Sequence, residues 1–238
     1  RGVSITGMGV SITGISNWMK ENANTYGVNP NTVVVGGGSA GGHLALLVAY
    51  TDFNPQFTPN ELAGKDISVC GVVSFYGPTD LKAMYFHTNQ QHLKDSNSNK
   101  MKKAIPQMPS WVIKLMGNAY YRFHFDKDFA NAGVFASLLG GTPDECPEQY
   151  ALYSPITNVN AKCPATLQLQ GEDDLMTPVK TTRYLHTCLM ENNVPSALHT
   201  FPQTDHAFDL VLPKISPSAH WAIYDVERFL ALLIKSNE

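Results

Sequence analysis

The tightest constraint in the chain is a change of backbone period that happens within a few residues. Thr32 to Val35 is a continuous β-branched run, the pattern of a strand buried on both faces. It is followed at once by Gly36-Gly37-Gly38-Ser39-Ala40-Gly41-Gly42 and then by the apolar helical stretch HLALLVAY. A strand that turns into a helix with no spacer is the first half of a strand-helix-strand unit, which implies a parallel sheet covered by helices. The glycines let the two elements pass close together, and Ser39 stands at the corner.

The rest of the chain repeats the alternation. ISNWMKENANTYG reads as a helix ended by Gly27, Ile67 to Gly77 as a second strand and Pro164 to Gly171 as a third. Pro178 to Asn192 reads as a helix with Pro178 in its first turn, and Ala197 to Phe201 as a fourth strand. The last helix, HWAIYDVERFLALLI, places Trp221, Tyr224, Phe229 and Leu232 on or near one face. The fold class expected is α/β, with a mostly parallel sheet and helices on both faces, as one domain over residues 1–238. Within it, residues 82–150 carry no strand pattern and are polar, Met-rich, aromatic and broken by Pro106, Pro109 and Pro143. They read as a helical insertion over the C-terminal edge of the sheet, where ligands of such folds bind, or as a peripheral loop domain without a substrate role. At the start, GVSITG occurs at 2–7 and again at 9–14. This is a local duplication rather than a solenoid, with one copy a candidate short strand.

Composition excludes several partners. In 238 residues the formal net charge is −3, which creates no field for a nucleic-acid backbone or an anionic membrane. No apolar run reaches the ~20 residues of a bilayer span, and the first residues lack a signal-peptide core. The compartment stays open, with a weak lean against secretion because no N-x-[ST] acceptor occurs. Cys70, Cys146, Cys163 and Cys188 are scattered and read as buried thiols with at most one disulfide.

Three segments carry chemistry. In Gly37-Gly38-Ser39-Ala40-Gly41 a serine between strand and helix is held in a strained turn that lifts its hydroxyl above the sheet, the context of a nucleophile elbow. The helix N-terminus favours developing negative charge, and the Ala40 N–H points where an oxyanion forms. The competing reading is a phosphate cradle, since Gly36 to Gly41 loosely fits G-x-G-x-x-G, but no acidic ribose partner closes a following strand. Downstream, Gly171-Glu172-Asp173-Asp174-Leu175-Met176-Thr177-Pro178 puts three carboxylates at a strand end. One can orient a histidine; the others suit helix capping or plain solvation. Neither EF-hand spacing nor a histidine pair accompanies them, so no metal and no cofactor is called for. His206, in the loop after the last strand, is placed to reach back to Ser39 as a base. His43, His199, His186 and His220 rank below it, the first two as structural residues.

Together these segments resemble the esterase/lipase branch of the α/β-hydrolases, related to hormone-sensitive lipase and to acetylxylan and feruloyl esterase-like proteins. The likeness rests on VVVGGGSAGGHLALL, SFYGPTDL, YSPITNV, GEDDLMTPV, DHAFDL and YDVERFLALL, in that order from about Trp18 to the C-terminus. It implies the α/β-hydrolase fold and a Ser39, Asp174, His206 triad. The family's acid stands three residues after the glycine and four before the proline, which selects Asp174 over Asp173. The family's His-Gly-Gly oxyanion segment has no counterpart upstream of Ser39. The resemblance therefore implies that the early strands and one side of the oxyanion hole are absent or replaced, leaving a sheet edge open to pairing or aggregation.

The activity expected is hydrolysis of small or short-acyl esters through an acyl-enzyme, with residues 82–150 shaping the acyl or alcohol pocket. Two readings compete: a catalytically impaired module that binds a small ligand or protein, and an amidase or peptidase of the same fold. The candidate partners are a small ester substrate and a second copy of the chain.

Overall fold

The computed structural model describes residues 5–52, 54–58, 60–91, 131–210 and 213–236. Among these residues the strands form one four-stranded parallel sheet in the order of the sequence: β1 (Val34–Gly38), β2 (Gly71–Phe75), β3 (Ala165–Gly171) and β4 (Ser196–Phe201). Val35 pairs with Val72, Val72 with Thr166 and Thr166 with Ser196, so the C-terminal ends of all the strands lie along one edge.

Helices cover both faces, as the alternation requires. On one face α3 (Ala40–Tyr50) and α7 (Val179–Glu191) pack Leu46, Ala49, Tyr50, Leu185 and Leu189 against Val72. On the other, α8 (Pro217–Ser236) lays Ala222, Val226 and Phe229 over Val73, Leu167, Leu169 and Phe201. A third cluster joins α3 to the helices after β2, with Leu47, Leu81, Leu139 and Tyr150 buried together.

Several expectations are corrected. Among the described residues the duplicated GVSITG segment forms no strand: α1 (Ile5–Glu21) takes in the whole second copy and the end of the first, and it packs on α3. A strand needs a neighbour for its ladder, whereas a helix satisfies its backbone bonds internally. Thr13, Ser16 and Asn17 form its buried side at helical spacing. A short α2 (Ala23–Tyr26) follows, and Gly27, with φ 64°, ends it where the sequence predicts. β1 begins two residues later than expected because Pro30–Thr32 closes a 3₁₀ turn, in which Asn31 N–H donates to the Asn29 side chain at 2.9 Å. Nor is β1 buried on both faces: it is the sheet's edge strand, with Gly36 and Gly38 exposed. β2 is confined to Gly71–Phe75, and Pro178 is the N-cap of α7 rather than its first-turn residue.

On α8 the expected apolar face is only partly the buried one. Ala219 and Ala222 are fully buried, while Trp221, Tyr224 and Leu232 are exposed. All four cysteines are free; Cys163 is buried and Cys70, Cys146 and Cys188 are half-buried, so the expectation of uniformly buried thiols fails. Of the segment read as an insertion, residues 92–130 lie outside the described residues. Its described parts are helical: α4 (Leu81–Gln91), α5 (Asn131–Leu139) and α6 (Pro147–Leu152), with α4 packed on both of the others. No helix among the described residues is long and apolar enough to cross a membrane.

Candidate functional site

The C-terminal edge of the sheet gathers three side chains from separate connections. Ser39 sits between β1 and α3 at φ 54°, ψ −121°, a conformation that a non-glycine residue adopts only under constraint. The constraint is visible: Ser39 N–H continues the sheet ladder to the Phe75 carbonyl at 2.9 Å, while its own carbonyl already accepts His43 N–H at 3.0 Å. A Cβ on Gly37 would stand 2.5 Å from the backbone of Gly41, so the turn closes only with glycine at 37. At Gly41 itself a Cβ would meet open space; the second crowded position is Gly42, against the Gly37 carbonyl and Ser74 Oγ, each at 2.9 Å. Ala40 is the first residue of α3, and its N–H has no acceptor within the helix.

Asp174 follows β3 in the acidic turn, its side chain fully removed from solvent. Burial of a carboxylate requires donors, and the turn supplies them. Oδ1 accepts the N–H groups of Met176 and Thr177, both at 2.8 Å, and Oδ2 accepts Gln170 Nε2 at 2.7 Å. Oδ2 also lies 2.8 Å from His206 Nδ1. The neighbouring acids are used otherwise. Glu172 pairs with Arg183, and its carboxyl is held below its ordinary value chiefly by a hydrogen bond from Thr200. Asp173 is exposed.

His206, buried in the loop after β4, presents Nε2 to Ser39 Oγ at 2.9 Å. An ionised carboxylate only accepts hydrogen bonds, so the proton belongs on Nδ1, leaving the Nε2 lone pair for the Ser39 O–H. The structure thus brings Ser39, His206 and Asp174 into one hydrogen-bonded line. The lower-ranked histidines lie elsewhere. His43 is buried on α3 with Nδ1 3.0 Å from the Pro78 carbonyl, and burial pushes its pKa down. His199 pairs with Asp225, His186 lies 2.8 Å from Ser196 Oγ, and His220 lies 3.2 Å from the Lys214 carbonyl.

Four residues around this line escaped the sequence reading. Gln170 holds Asp174, and its signal was the polar alternation Thr166, Gln168, Gln170 inside an otherwise buried strand. Asp205 Oδ1 accepts both Leu175 N–H, at 3.0 Å, and His206 N–H, at 2.7 Å, joining the acid turn to the histidine loop. Tyr76 places its ring 4.5 Å, centre to centre, from that of His206. His87 of α4 reaches the Leu175 carbonyl with Nε2 at 3.2 Å. For the last two, nothing local in the sequence marks the contact.

Known proteins resemble this chain along nearly its whole length. Residues 12–122 match the BD-FAE family and residues 121–228 the prolyl oligopeptidase family. A probable carboxylic ester hydrolase of Mycobacterium tuberculosis, LipM, is 29% identical over 90% of the chain and 40% of its own length. Esterase LipQ of the same organism is 27% identical over 87% of the chain and 40% of its own length. The chain therefore spans about 40% of the length of these curated relatives. Among solved structures, esterase 2 of Thermogutta terrifontis phosphoramylated by tabun superposes with a TM-score of 0.67 at 16% identity, covering 98% of this chain and 67% of that one. An acetyl ester-xyloside bifunctional hydrolase from Caldicellulosiruptor lactoaceticus gives 0.60 at 20% identity, covering 93% and 64%. At such identities the structural likeness is one of fold.

Proposed function

We infer the activity of this chain from its membership of the α/β-hydrolases, in their esterase/lipase-like branch, and propose that it is a serine hydrolase of small or short-acyl carboxylic esters. The observation that carries the proposal is the unbroken line from Ser39 Oγ through the His206 imidazole to Asp174 Oδ2, with links of 2.9 and 2.8 Å. Ser39 Oγ attacks the ester carbonyl while its proton passes to His206 Nε2. Asp174 keeps the imidazole oriented and balances the charge it acquires. The oxyanion that forms faces the N-terminus of α3 and the Ala40 N–H. The alkoxide then leaves with the proton from Nε2, and water repeats the sequence on the acyl-Ser39 ester.

The start of the insertion, α4, borders the pocket in this reading. Its support is the contact from His87 to Leu175, next to the orienting acid. Replacing Ser39 by Ala should abolish hydrolysis of a chromogenic acetate ester, and undiminished turnover in that variant would remove the proposal. The match of residues 121–228 to the prolyl oligopeptidase family favours a second reading, amide hydrolysis by the same residues. Matched ester and amide substrates separate the two, and a clear amide preference would favour the second.

A further inference from the structure

Tyr76 is buried and lies directly after β2, with φ 42°, in the left-handed region where a bulky aromatic residue is a rare outlier. Such backbone strain persists only where the surroundings fix it, and here they do so from several sides. Tyr76 N–H donates to the Leu169 carbonyl at 2.8 Å. The ring packs 4.5 Å from the imidazole of His206 and 5.6 Å, edge-on, from Phe208. Its hydroxyl donates to Asp209 Oδ1. At its other flank a Cβ on Gly38, the residue before Ser39, would lie 3.0 Å from that hydroxyl. Tyr76 therefore fills the space between the serine turn and the histidine ring, and its anchor, Asp209, belongs to the same loop as His206.

We propose that Tyr76, tethered by Asp209, is a positioning residue that sets the separation and orientation of His206 relative to Ser39. The proposal rests on the serine-hydrolase reading of that pair. The ring is a wall against which the imidazole rests, and the hydroxyl ties that wall to the loop that carries the histidine. A shift of the imidazole breaks the Ser39 link without touching the substrate-binding surface, so the loss falls on kcat rather than KM.

The test uses Tyr76→Leu, Tyr76→Phe, Asp209→Ala and Asp209→Asn in the full chain. Active sites are counted with a fluorophosphonate, and the low-field proton resonance of the imidazole N–H shared with Asp174 is followed by NMR. Tyr76→Leu should lower kcat per active site by about 10²-fold with KM little changed, and should broaden or remove the resonance. Tyr76→Phe and Asp209→Ala, which keep the ring but cut the tether, should give smaller, matching losses, and Asp209→Asn, which keeps an acceptor, should recover most of the rate. A purely structural role would reduce the number of active sites and leave kcat per site alone. Folded Tyr76→Leu with wild-type kcat and an unaltered resonance would overturn the proposal. If that variant does not fold, wild-type behaviour of both Tyr76→Phe and Asp209→Ala would overturn it. Should the wild-type chain prove inert to esters and to the fluorophosphonate, the hydrolase reading falls, while the resonance still decides whether Tyr76 orders the histidine.

Discussion

Asp205 is the residue through which the acid turn and the histidine loop share a single acceptor, and its charge has a stability cost that pH can reveal. Burial pushes its carboxyl above the ordinary value, more than the N–H groups of Leu175 and His206 pull it down. The folded chain therefore holds a proton on Asp205 more readily than the unfolded chain does. Between the ordinary carboxylate range and the raised folded value, stability falls as pH rises, and above the folded value the whole cost is present. Asp205→Asn keeps an oxygen acceptor for both N–H groups and removes the charge. We expect its urea midpoint to exceed that of the wild type at neutral pH, with the difference closing as pH falls toward about 4. Asp205→Ala, which leaves buried N–H groups unmet, should lose about 1–3 kcal/mol at acidic pH, and the deficit should shrink as pH rises and the wild type takes on its own charge cost. An Asn advantage that grows on acidification would contradict this account. Of the residues at the candidate site, the three that the structure joins by hydrogen bonds were candidates in the sequence: Ser39 from the glycines around it, His206 from its place after the last strand, Asp174 through a family resemblance. Asp205 and Tyr76 were not, because a carboxylate that bridges two loops and a ring that wedges a histidine are defined by contacts across the fold.

At the scale of elements, strands and helices were legible because each carries its own period, and the errors fell where contact geometry outweighs residue type. On α8 the apolar pattern points to Trp221 and Tyr224, yet close approach of a helix to a sheet is made by small residues. Ala219 and Ala222 are fully buried, Ala222 against the sheet, and a Cβ on Gly71 of β2 would lie 2.5 Å from Leu233. The end of β3 follows the same rule. A Cβ on Gly171 would come within 2.3 Å of the Thr204 carbonyl oxygen and 3.0 Å of that of Asp205, both backbone atoms that cannot swing aside as a side chain can. Gly171 is therefore needed for proximity between the acid strand and the histidine loop, beyond the turn its sequence context suggests. Gly171→Ala should push residues 204–206 away from Asp174 and lower kcat by about 10²-fold, with a lower melting temperature, in steady-state assays normalised to active sites. Wild-type kcat in this variant would show that the two loops tolerate separation.

For the whole molecule, the consequence of strand order is an unbalanced surface. β1, which leads to the candidate nucleophile, stands at the edge of the sheet, and among the described residues no strand pairs with its outer side. An edge of this kind offers free N–H and C=O groups to another chain. On α8, Trp221 is 70% exposed, Tyr224 63% and Leu232 59%, well beyond what scattered surface apolar residues require. A net charge of −3 provides little repulsion to oppose contact. Local periodicity could not reveal this, since β1 reads as a core strand until its neighbours are counted. We expect the isolated chain to associate as its concentration rises, with an average mass by light scattering that climbs above 26.1 kDa. Trp221→Lys combined with Leu232→Lys separates the two sources, because exposed substitutions change stability by only about 0.5 kcal/mol. Association abolished by the pair would place the contact on α8, and association unchanged would leave the edge of β1 as its seat. A wild-type chain that stays monomeric at all concentrations would mean that both surfaces are protected.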